Sequence, residues 1–363
     1  MSILASSYSK IDCSKLNDRL NDRLNDRRVL AFTAMPRKRI TSCLAFVSFA
    51  LIILFSAESH ATATTTTQPT PLAQVRALLT NGIQATKAPG VMIPPVSSWA
   101  TSSLQTGPTN LCWTQLKSST TTPTCEFGNT SSTKVVALVG DSQLWMWVPG
   151  FDLWAKQKGW KIVVFSKASC PPWIDAQQAY YDHSPFPECG QYQKWANAAI
   201  NALHPKLIIA AGLQPQWPKS FCTKCTPAQI DSIFRQGVKS FVTAVAPSHA
   251  RVAMLAPSVS YYYGAGIQAP SCVVKNLNNL HVCNTKKIAQ LGSYKWGLSY
   301  SALAIPKGTF WIDTQQLLCV NGVCPMTAGQ YLIYKDNDHV TREWAIKSAP
   351  ALTQLLSVVS AGL

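Results

Sequence analysis

Residues 135–142 of this 363-residue chain are Val-Val-Ala-Leu-Val-Gly-Asp-Ser, and this stretch decides the fold. Five apolar residues in a row, without alternation, predict a strand that is buried on both faces, as in a parallel sheet. Residues 143–158 continue as an amphipathic helix, which the Pro-Gly pair at 149–150 interrupts or delays. Strand, tight turn and helix together lift the Ser142 hydroxyl above the edge of a sheet. The alternative is a plain turn in which Asp141 or Ser142 only caps the helix.

The same alternation of strand and helix continues through the rest of the chain. Short apolar runs predict four more strands at 161–165, 206–211, 251–256 and 309–312, and helical periodicity is found at 71–85, 191–203, 227–245 and 341–358. We therefore expect an α/β fold, a three-layer α/β/α sandwich with a central parallel sheet. The site of such a fold lies at the carboxyl ends of the strands, and Ser142, Ser169 and Gln214 each follow a strand.

Near the other end of the chain, Asp336 precedes His339 by three residues, just ahead of a predicted helix. This spacing can place a carboxylate against one imidazole nitrogen and leave the other free to take a proton from a serine. Ser142, Asp336 and His339 therefore form a candidate hydrolase triad. Asp338 competes for the role of the acid, but as the sequence neighbour of His339 it is expected to point away from the ring.

Four segments carry a resemblance to a known family: 139–142 (Val-Gly-Asp-Ser), 166–172 (Ser-Lys-Ala-Ser-Cys-Pro-Pro), 318–325 (with Leu-Cys and Val-Cys-Pro) and 332–341 (Leu-Ile-Tyr-Lys-Asp-Asn-Asp-His-Val-Thr). The chain resembles the SGNH (GDSL-like) hydrolases, and more narrowly the SGNH domain fused to bacterial membrane acyltransferases of the polysaccharide O-acetylase type. The similarity extends from about residue 75 to about residue 356. It implies a flavodoxin-like sheet, Ser142 as nucleophile and Asp336 as the triad acid. Gln143 stands where many relatives have histidine, and we expect it to lie outside the triad.

The resemblance also implies an oxyanion hole. One donor would be the backbone N–H of Ser142, and a second that of Ser169, which stands where related domains carry glycine. The third donor of ordinary members is an asparagine after the third strand. Here residues 211–215 are Ala-Gly-Leu-Gln-Pro, which include Gly212. Either Gln214 takes the place of the asparagine or no side chain does. Loss of one such donor typically lowers the rate about 10²- to 10³-fold, which predicts a slow enzyme.

Composition divides the chain into four parts. Residues 1–34 carry the polar repeat Leu-Asn-Asp-Arg and are interpreted as a non-native or disordered extension. Residues 35–61 combine basic residues, an apolar run of about 13 residues and small residues, as a signal peptide does. The alternative is an uncleaved anchor, which would be the chain's only contact with a membrane, although a spanning helix needs about 20 residues. Residues 62–70 are a Thr- and Pro-rich linker, and 71–363 are the SGNH hydrolase-like domain.

Cysteine usage favours export. Ten of the twelve cysteines follow the predicted signal peptide, and they fall as sequence neighbours, which is typical of disulfides formed in an oxidising compartment. The predicted pairs are Cys112 with Cys125, Cys170 with Cys189, Cys222 with Cys225, Cys272 with Cys283, and Cys319 with Cys324. Zinc or redox chemistry is the alternative at Cys222 and Cys225, but one Cys-x-x-Cys without histidines at ligand spacing is weak evidence for zinc. We expect no metal and no other cofactor.

The chain is basic, with a net charge of +16, and residues 62–363 retain 23 Lys or Arg against 11 Asp or Glu. Neither a basic cluster nor a recognition motif accompanies this charge, so nucleic acid is not an expected partner. Attraction to anionic polymers of the cell envelope agrees better with export.

Three functions remain open on the sequence. The first is an exported, periplasmic or extracellular serine esterase or deacetylase that removes O-acyl, chiefly O-acetyl, groups from cell-envelope carbohydrate. The second is an O-acyltransferase that modifies envelope polysaccharide with acyl groups delivered by a membrane acyltransferase partner. The third is a noncatalytic glycan-binding domain. Indoles near strand ends either stack on sugars or pack in the core; these are Trp145, Trp147, Trp173 and Trp217.

Overall fold

The computed structural model describes residues 68–99, 106–108, 112–115, 117, 125–173, 185–212, 226–258, 269–286 and 308–363. The predicted extension, the signal peptide and residues 62–67 of the linker lie outside these ranges. Within them, no helix combines the length and the hydropathy needed to cross a membrane.

A six-stranded sheet forms the centre of the domain. The strands of the described ranges are, in chain order, β1 (Glu126–Gly128), β2 (Val135–Gly140), β3 (Lys161–Ser166), β4 (Leu207–Ala211), β5 (Arg251–Leu255), β6 (Thr285–Lys286), β7 (Thr309–Ile312), β8 (Val323–Cys324), β9 (Thr327–Ala328) and β10 (Tyr331–Leu332). The main sheet has the order β1-β3-β2-β4-β5-β7; β1 pairs antiparallel with β3, and the other pairings are parallel. The five predicted parallel strands are confirmed. The short edge strand β1 was not predicted.

Both faces of the sheet are buried, as the unbroken apolar run of β2 predicts. Val136 and Leu138 point into one hydrophobic cluster, whereas Ala137 and Val139 point into a second cluster on the opposite face. Successive residues of a strand face opposite sides of a sheet, so a strand with two buried faces cannot alternate apolar with polar residues.

Helices cover both faces. In the described ranges they are α1 (Pro71–Gln84), α2 (Ser142–Trp145), α3 (Val148–Lys158), α4 (Pro187–Leu203), α5 (Pro227–Val245), α6 (Ala269–Lys275), α7 (Arg342–Lys347) and α8 (Ala349–Ser360). Helices α1, α3 and α8 pack in the first cluster through Val75, Phe151 and Leu352. Helices α4 and α5 pack in the second through Ile200 and Phe241. The predicted three-layer α/β/α sandwich is therefore confirmed.

Two of the predicted helices are each divided into two. Helix α2 ends at Trp145 and α3 begins at Val148, so the break precedes the Pro-Gly pair instead of coinciding with it. Pro149 lies in the first turn of α3, where no intrahelical N–H is required. Ser348 separates α7 from α8, whose second residue is Pro350. Both prolines therefore start new helices rather than kink existing ones.

The chain reverses direction across the sheet at β2. From β2 it passes to β3 on one side and then to β4 on the other, so that the carboxyl end of β2 is a topological switch point. Gly140, the last residue of β2, pairs with Ser166 of β3 and Ala211 of β4. A side chain at Gly140 would collide with the Ala211 carbonyl and lie 2.9 Å from Cβ of Leu144. Glycine therefore allows the three strand ends to meet.

Four of the five predicted disulfides are confirmed: Cys112–Cys125, Cys170–Cys189, Cys272–Cys283 and Cys319–Cys324. Cys222 and Cys225 lie outside the described ranges. The first disulfide holds a segment at the sheet edge, where the Thr114 N–H donates to Ser166 O at 3.0 Å and the Ala168 N–H donates to Thr114 O at 2.9 Å. The buried Lys167 ammonium donates to Gln115 O at 2.6 Å and fixes this segment further.

Candidate active site

Ser142 is the first residue of α2, directly after the turn at Asp141. The buried Asp141 carboxylate accepts the backbone N–H of Gln143 at 2.9 Å, so Asp141 caps the helix. Asp141 is therefore the residue of this turn that caps the helix. The Ser142 hydroxyl is not needed for capping and is available for chemistry. From Val136 to Phe151, Ser142 is the one residue that is not buried.

Asp336 and His339 are joined by a tight turn. The Lys335 N–H donates to His339 O at 2.9 Å, and Tyr334 pairs with Val340 beside this bond. Inside the turn, Oδ1 of Asp336 accepts the His339 backbone N–H at 2.9 Å. Both carboxylate oxygens of Asp336 also lie 2.9 Å from Nδ1 of His339. The spacing of three residues thus brings the predicted acid and the predicted base together.

The expectation that Asp338 points away from His339 was wrong. Its Oδ1 lies 3.1 Å from Nδ1 of His339, on the same ring nitrogen that Asp336 contacts. The Asp338 N–H donates to Oδ1 of Asp336 at 3.1 Å, and this bond curls the turn so that both carboxylates face the ring. One imidazole nitrogen therefore has two acidic neighbours.

These carboxylates set the protonation of His339. Burial by itself would lower the pKa of His339, but the hydrogen bond to Asp336 and the charges of Asp338, Asp336 and Asp141 outweigh burial and raise this pKa to about 9. Burial also favours neutral Asp336, yet its bonds to His339 lower its pKa to about 2. Burial raises the pKa of Asp338 to about 6, against the attraction of His339. Asp336 is therefore ionised at neutral pH, and the resting imidazole is largely protonated.

The turn that carries Ser142 lies beside His339, close enough for the Asp141 carboxylate to raise the pKa of His339. Nε2 of His339 is buried and has no hydrogen-bond partner among the described residues, Ser142 included. This nitrogen is the one that a triad histidine presents to its serine. The Ser142 turn and the Asp-x-x-His turn are thus neighbours, without a direct bond from serine to histidine.

Two residues connect these segments: Gln143, which the sequence analysis placed outside the triad, and Ser258, which it did not consider. Nε2 of Gln143 donates to the Asp338 carbonyl at 3.1 Å, and Oε1 of Gln143 accepts the N–H of Ser258 at 3.0 Å. Ser258 follows β5 at the same edge of the sheet. Gln143 had a sequence signal, since it occupies the position where many relatives have histidine, but Ser258 had none.

The predicted oxyanion residues occupy the flanking strand ends. Ser169 follows β3 and has a φ of 53°, in the left-handed region that favours glycine. Gly212 follows β4 and is packed so closely that a Cβ there would lie 2.6 Å from Cβ of Pro171. The loops after β3 and β4 therefore touch each other beside the Ser142 turn. Gln214 lies outside the described ranges.

The aromatic side chains near the strand ends are structural where they are described. Trp145, Trp147 and Trp173 are all buried, and Trp173 packs edge-on against Phe234 and Phe241. These three indoles are not exposed for stacking on a sugar, and Trp217 lies outside the described ranges.

The doubly wound sheet, the serine at its switch point and the Asp-x-x-His turn define an α/β protein of the SGNH hydrolase class. The sequence profile of the family described as "SGNH domain (fused to AT3 domains)" matches residues 111–354. The chain therefore belongs to this family.

Solved structures resemble the chain at low identity. One is the periplasmic domain of the Salmonella ser. Paratyphi A lipopolysaccharide acetyltransferase, with 13% identity and a TM-score of 0.45 over 61% of this chain and 82% of that one. Another is a GDSL-like lipase from Bacteroides thetaiotaomicron, with 12% identity and a TM-score of 0.31 over 62% of this chain and 89% of that one. No curated protein matches the sequence.

Proposed function

We propose that this protein is an exported serine esterase or deacetylase that removes O-acyl, chiefly O-acetyl, groups from carbohydrate of the cell envelope. One observation carries the proposal: a carboxylate oxygen of Asp336 lies 2.9 Å from Nδ1 of His339, and the opposite ring nitrogen has no hydrogen-bond partner among the described residues. The Ser142 turn is close enough for the Asp141 carboxylate to raise the pKa of this histidine. Membership of the SGNH family supports the same chemistry.

In this mechanism, Oγ of Ser142 forms a bond to the ester carbonyl carbon and gives its proton to Nε2 of His339. The tetrahedral intermediate collapses, the bond from carbon to the leaving oxygen breaks, and His339 returns the proton to the departing sugar alcohol. Water then attacks the acyl-serine with His339 as base, which releases the carboxylic acid and restores Ser142. Asp336 orients the imidazole and stabilises its charged form throughout.

The negative oxygen of the intermediate needs donors. The backbone N–H groups of Ser142 and Ser169 are our candidates, with the Gly212 loop and Gln214 completing the hole. Ser169 can serve despite its side chain, because a backbone donor does not depend on residue type once the left-handed conformation is adopted.

The assignment to export and to envelope carbohydrate has separate support. Four disulfides in the described ranges agree with an oxidising compartment. The family consists of domains fused to AT3 domains, which suggests a relation to membrane acyltransferases. The excess of basic residues suits an anionic polymer as substrate.

That family relation also favours a second function, O-acyl transfer to envelope polysaccharide. The acyl-serine would form as above, with the acyl group delivered by a membrane acyltransferase partner, and a sugar hydroxyl would take the place of water. Noncatalytic glycan binding is the third candidate.

The deciding experiment measures turnover of a chromogenic acetyl ester by the wild-type protein, Ser142→Ala and Ser357→Ala. Ser357 is an exposed serine of α8 whose hydroxyl donates to Gln354 O of the same helix, which makes it a matched control. We expect Ser142→Ala to lower kcat by about 10⁴-fold or more, and Ser357→Ala to match the wild type.

An acceptor sugar added to the same assay separates the first two functions. Acetylated sugar formed at the expense of free acetate would identify a transferase, whereas unchanged acetate release would identify an esterase. Equal turnover in wild type and Ser142→Ala would refute the serine mechanism. Absence of turnover in both, together with binding of the glycan, would favour the noncatalytic function.

A further inference from the structure

The side chain of Gln143 links three separate parts of the site. It is 1% exposed, and it reaches from the start of α2 to Ser258 in the segment that follows β5 and to the Asp-x-x-His turn. Its Nε2 donates to Asp338 O at 3.1 Å, and its Oε1 accepts from the Ser258 N–H at 3.0 Å and from the Ser258 hydroxyl at 2.7 Å. The Ser258 hydroxyl also contacts Asp338 O, which closes the link.

The chemistry of the partners fixes the orientation of this amide. The Ser258 N–H can only donate, so the Gln143 oxygen must face it. The Asp338 carbonyl can only accept, so the Gln143 nitrogen must face that group. A carboxylate at this position would turn an oxygen toward a carbonyl, and an apolar side chain would leave buried groups unsatisfied.

The bond from Gln143 holds the residue next to His339, and so affects where His339 lies relative to α2. Bonds inside the turn, chiefly those of Asp336, orient the ring but do not tie the turn to α2. Two bonds do so on either side of His339: Gln143 of α2 donates to Asp338 O, and the Val340 N–H donates to Sδ of Met146, the residue that follows α2, at 3.4 Å. Gln143 is the sequence neighbour of Ser142, and Asp338 is the sequence neighbour of His339. The bond between Gln143 and Asp338 is therefore the more direct of the two connections between nucleophile and base.

We propose that Gln143 is a positioning residue that, together with Ser258, sets the distance between the Ser142 hydroxyl and His339. The inference rests on the proposed serine mechanism. Its structural part, that Gln143 holds the turn of residues 335–340 against α2, is measurable even in a protein that does not turn over.

The kinetic test uses Gln143→Met and Gln143→Glu. The Met variant removes both ends of the link, and the Glu variant keeps the acceptor for Ser258 but loses the donor for Asp338. We expect both to lower kcat about 10²-fold with little change in KM, the effect of a displacement of about 1 Å in a catalytic group. Ser258→Ala should have a smaller effect, because the Ser258 backbone N–H remains.

Asn201→Leu is the matched control, since Nδ2 of Asn201 donates to Ala244 O at 2.8 Å between α4 and α5, away from the Ser142 turn. It removes a comparable carboxamide bond and should leave kcat unchanged. If Gln143→Met lowered Tm as Asn201→Leu does and left kcat intact, Gln143 would be structural only, and the proposal would fail.

Amide hydrogen exchange separates failure of this inference from failure of the proposed function. We expect Gln143→Met to speed exchange in residues 335–340 relative to the sheet, whereas Asn201→Leu leaves that ratio unchanged. Faster exchange in Gln143→Met, when the wild-type protein itself shows no esterase activity, would support the link while the proposed esterase function fails. Unchanged exchange in Gln143→Met would overturn the link itself, whatever the activity.

Discussion

Nδ1 of His339 lies 2.9 Å from Oδ1 and 2.9 Å from Oδ2 of Asp336, so that a single carboxylate spans the proton-bearing side of the ring. The same carboxylate accepts the His339 backbone N–H at 2.9 Å. One side chain thus contacts both the ring of His339 and its backbone. This arrangement holds Nδ1 as the donor and leaves Nε2 as the nitrogen that can exchange a proton with substrate or serine.

The first prediction concerns pH. The pKa of His339 is raised to about 9, so the neutral imidazole that the serine mechanism requires is the minor form at pH 7 and grows as pH rises through about 9. We expect kcat/KM for an acetyl ester to increase about tenfold per pH unit below that pKa and to level off above it. A pH profile of kcat/KM, corrected for spontaneous hydrolysis with Ser142→Ala, measures this. A plateau that begins near pH 7 would contradict it.

The second prediction separates the two carboxylates. The charge of Asp338 raises the pKa of His339, and Asp338, with a pKa of about 6, is ionised where His339 titrates. Asp338→Asn removes that charge while its backbone carbonyl still accepts from Gln143, so the pKa of His339 should fall and the pH profile should move to lower pH. The plateau in kcat/KM should stay near that of the wild type.

Asp336→Asn is the matched comparison for Asp338→Asn. It replaces the acceptor that holds Nδ1, and we expect kcat to fall by about 10⁴-fold at every pH, as for a triad aspartate. If Asp338→Asn instead caused the larger loss, the roles of the two acids would be reversed.

Much of the fold could be predicted because its signals are local. The unbroken apolar run of β2 requires burial on both faces, and the neighbouring amphipathic segments supply the layers that cover it. The contact between Asp336 and His339 is likewise local, since three residues separate them.

The rest of the site depends on contacts that are distant in sequence. Gln143 bonds to Ser258, which is 115 positions away in the sequence, and to Asp338, which is 195 positions away. No sequence pattern around Gln143 indicates that the fold places these two residues next to it. Asp338 was expected to point away from His339 because the two are sequence neighbours, whereas the hydrogen bonds to Asp336 curl the turn so that both carboxylates face the ring. Side-chain direction there is set by these bonds and not by spacing.

The third prediction concerns Ser169. Its φ of 53° is a left-handed conformation that strains a residue with a Cβ by about 1 kcal/mol or more, and glycine adopts it without strain. We expect Ser169→Gly to raise Tm by about 2 °C, while kcat changes little because the backbone N–H that we assign to the oxyanion hole is retained. Ser169→Ala, which loses the hydroxyl but keeps the strain, should not raise Tm.

His204→Gly is the matched control at the C-terminal end of α4, where φ is 45°, also in the left-handed region. It should stabilise the protein without changing the site. A loss of kcat in both Ser169 variants at unchanged KM would show instead that the hydroxyl takes part in the reaction.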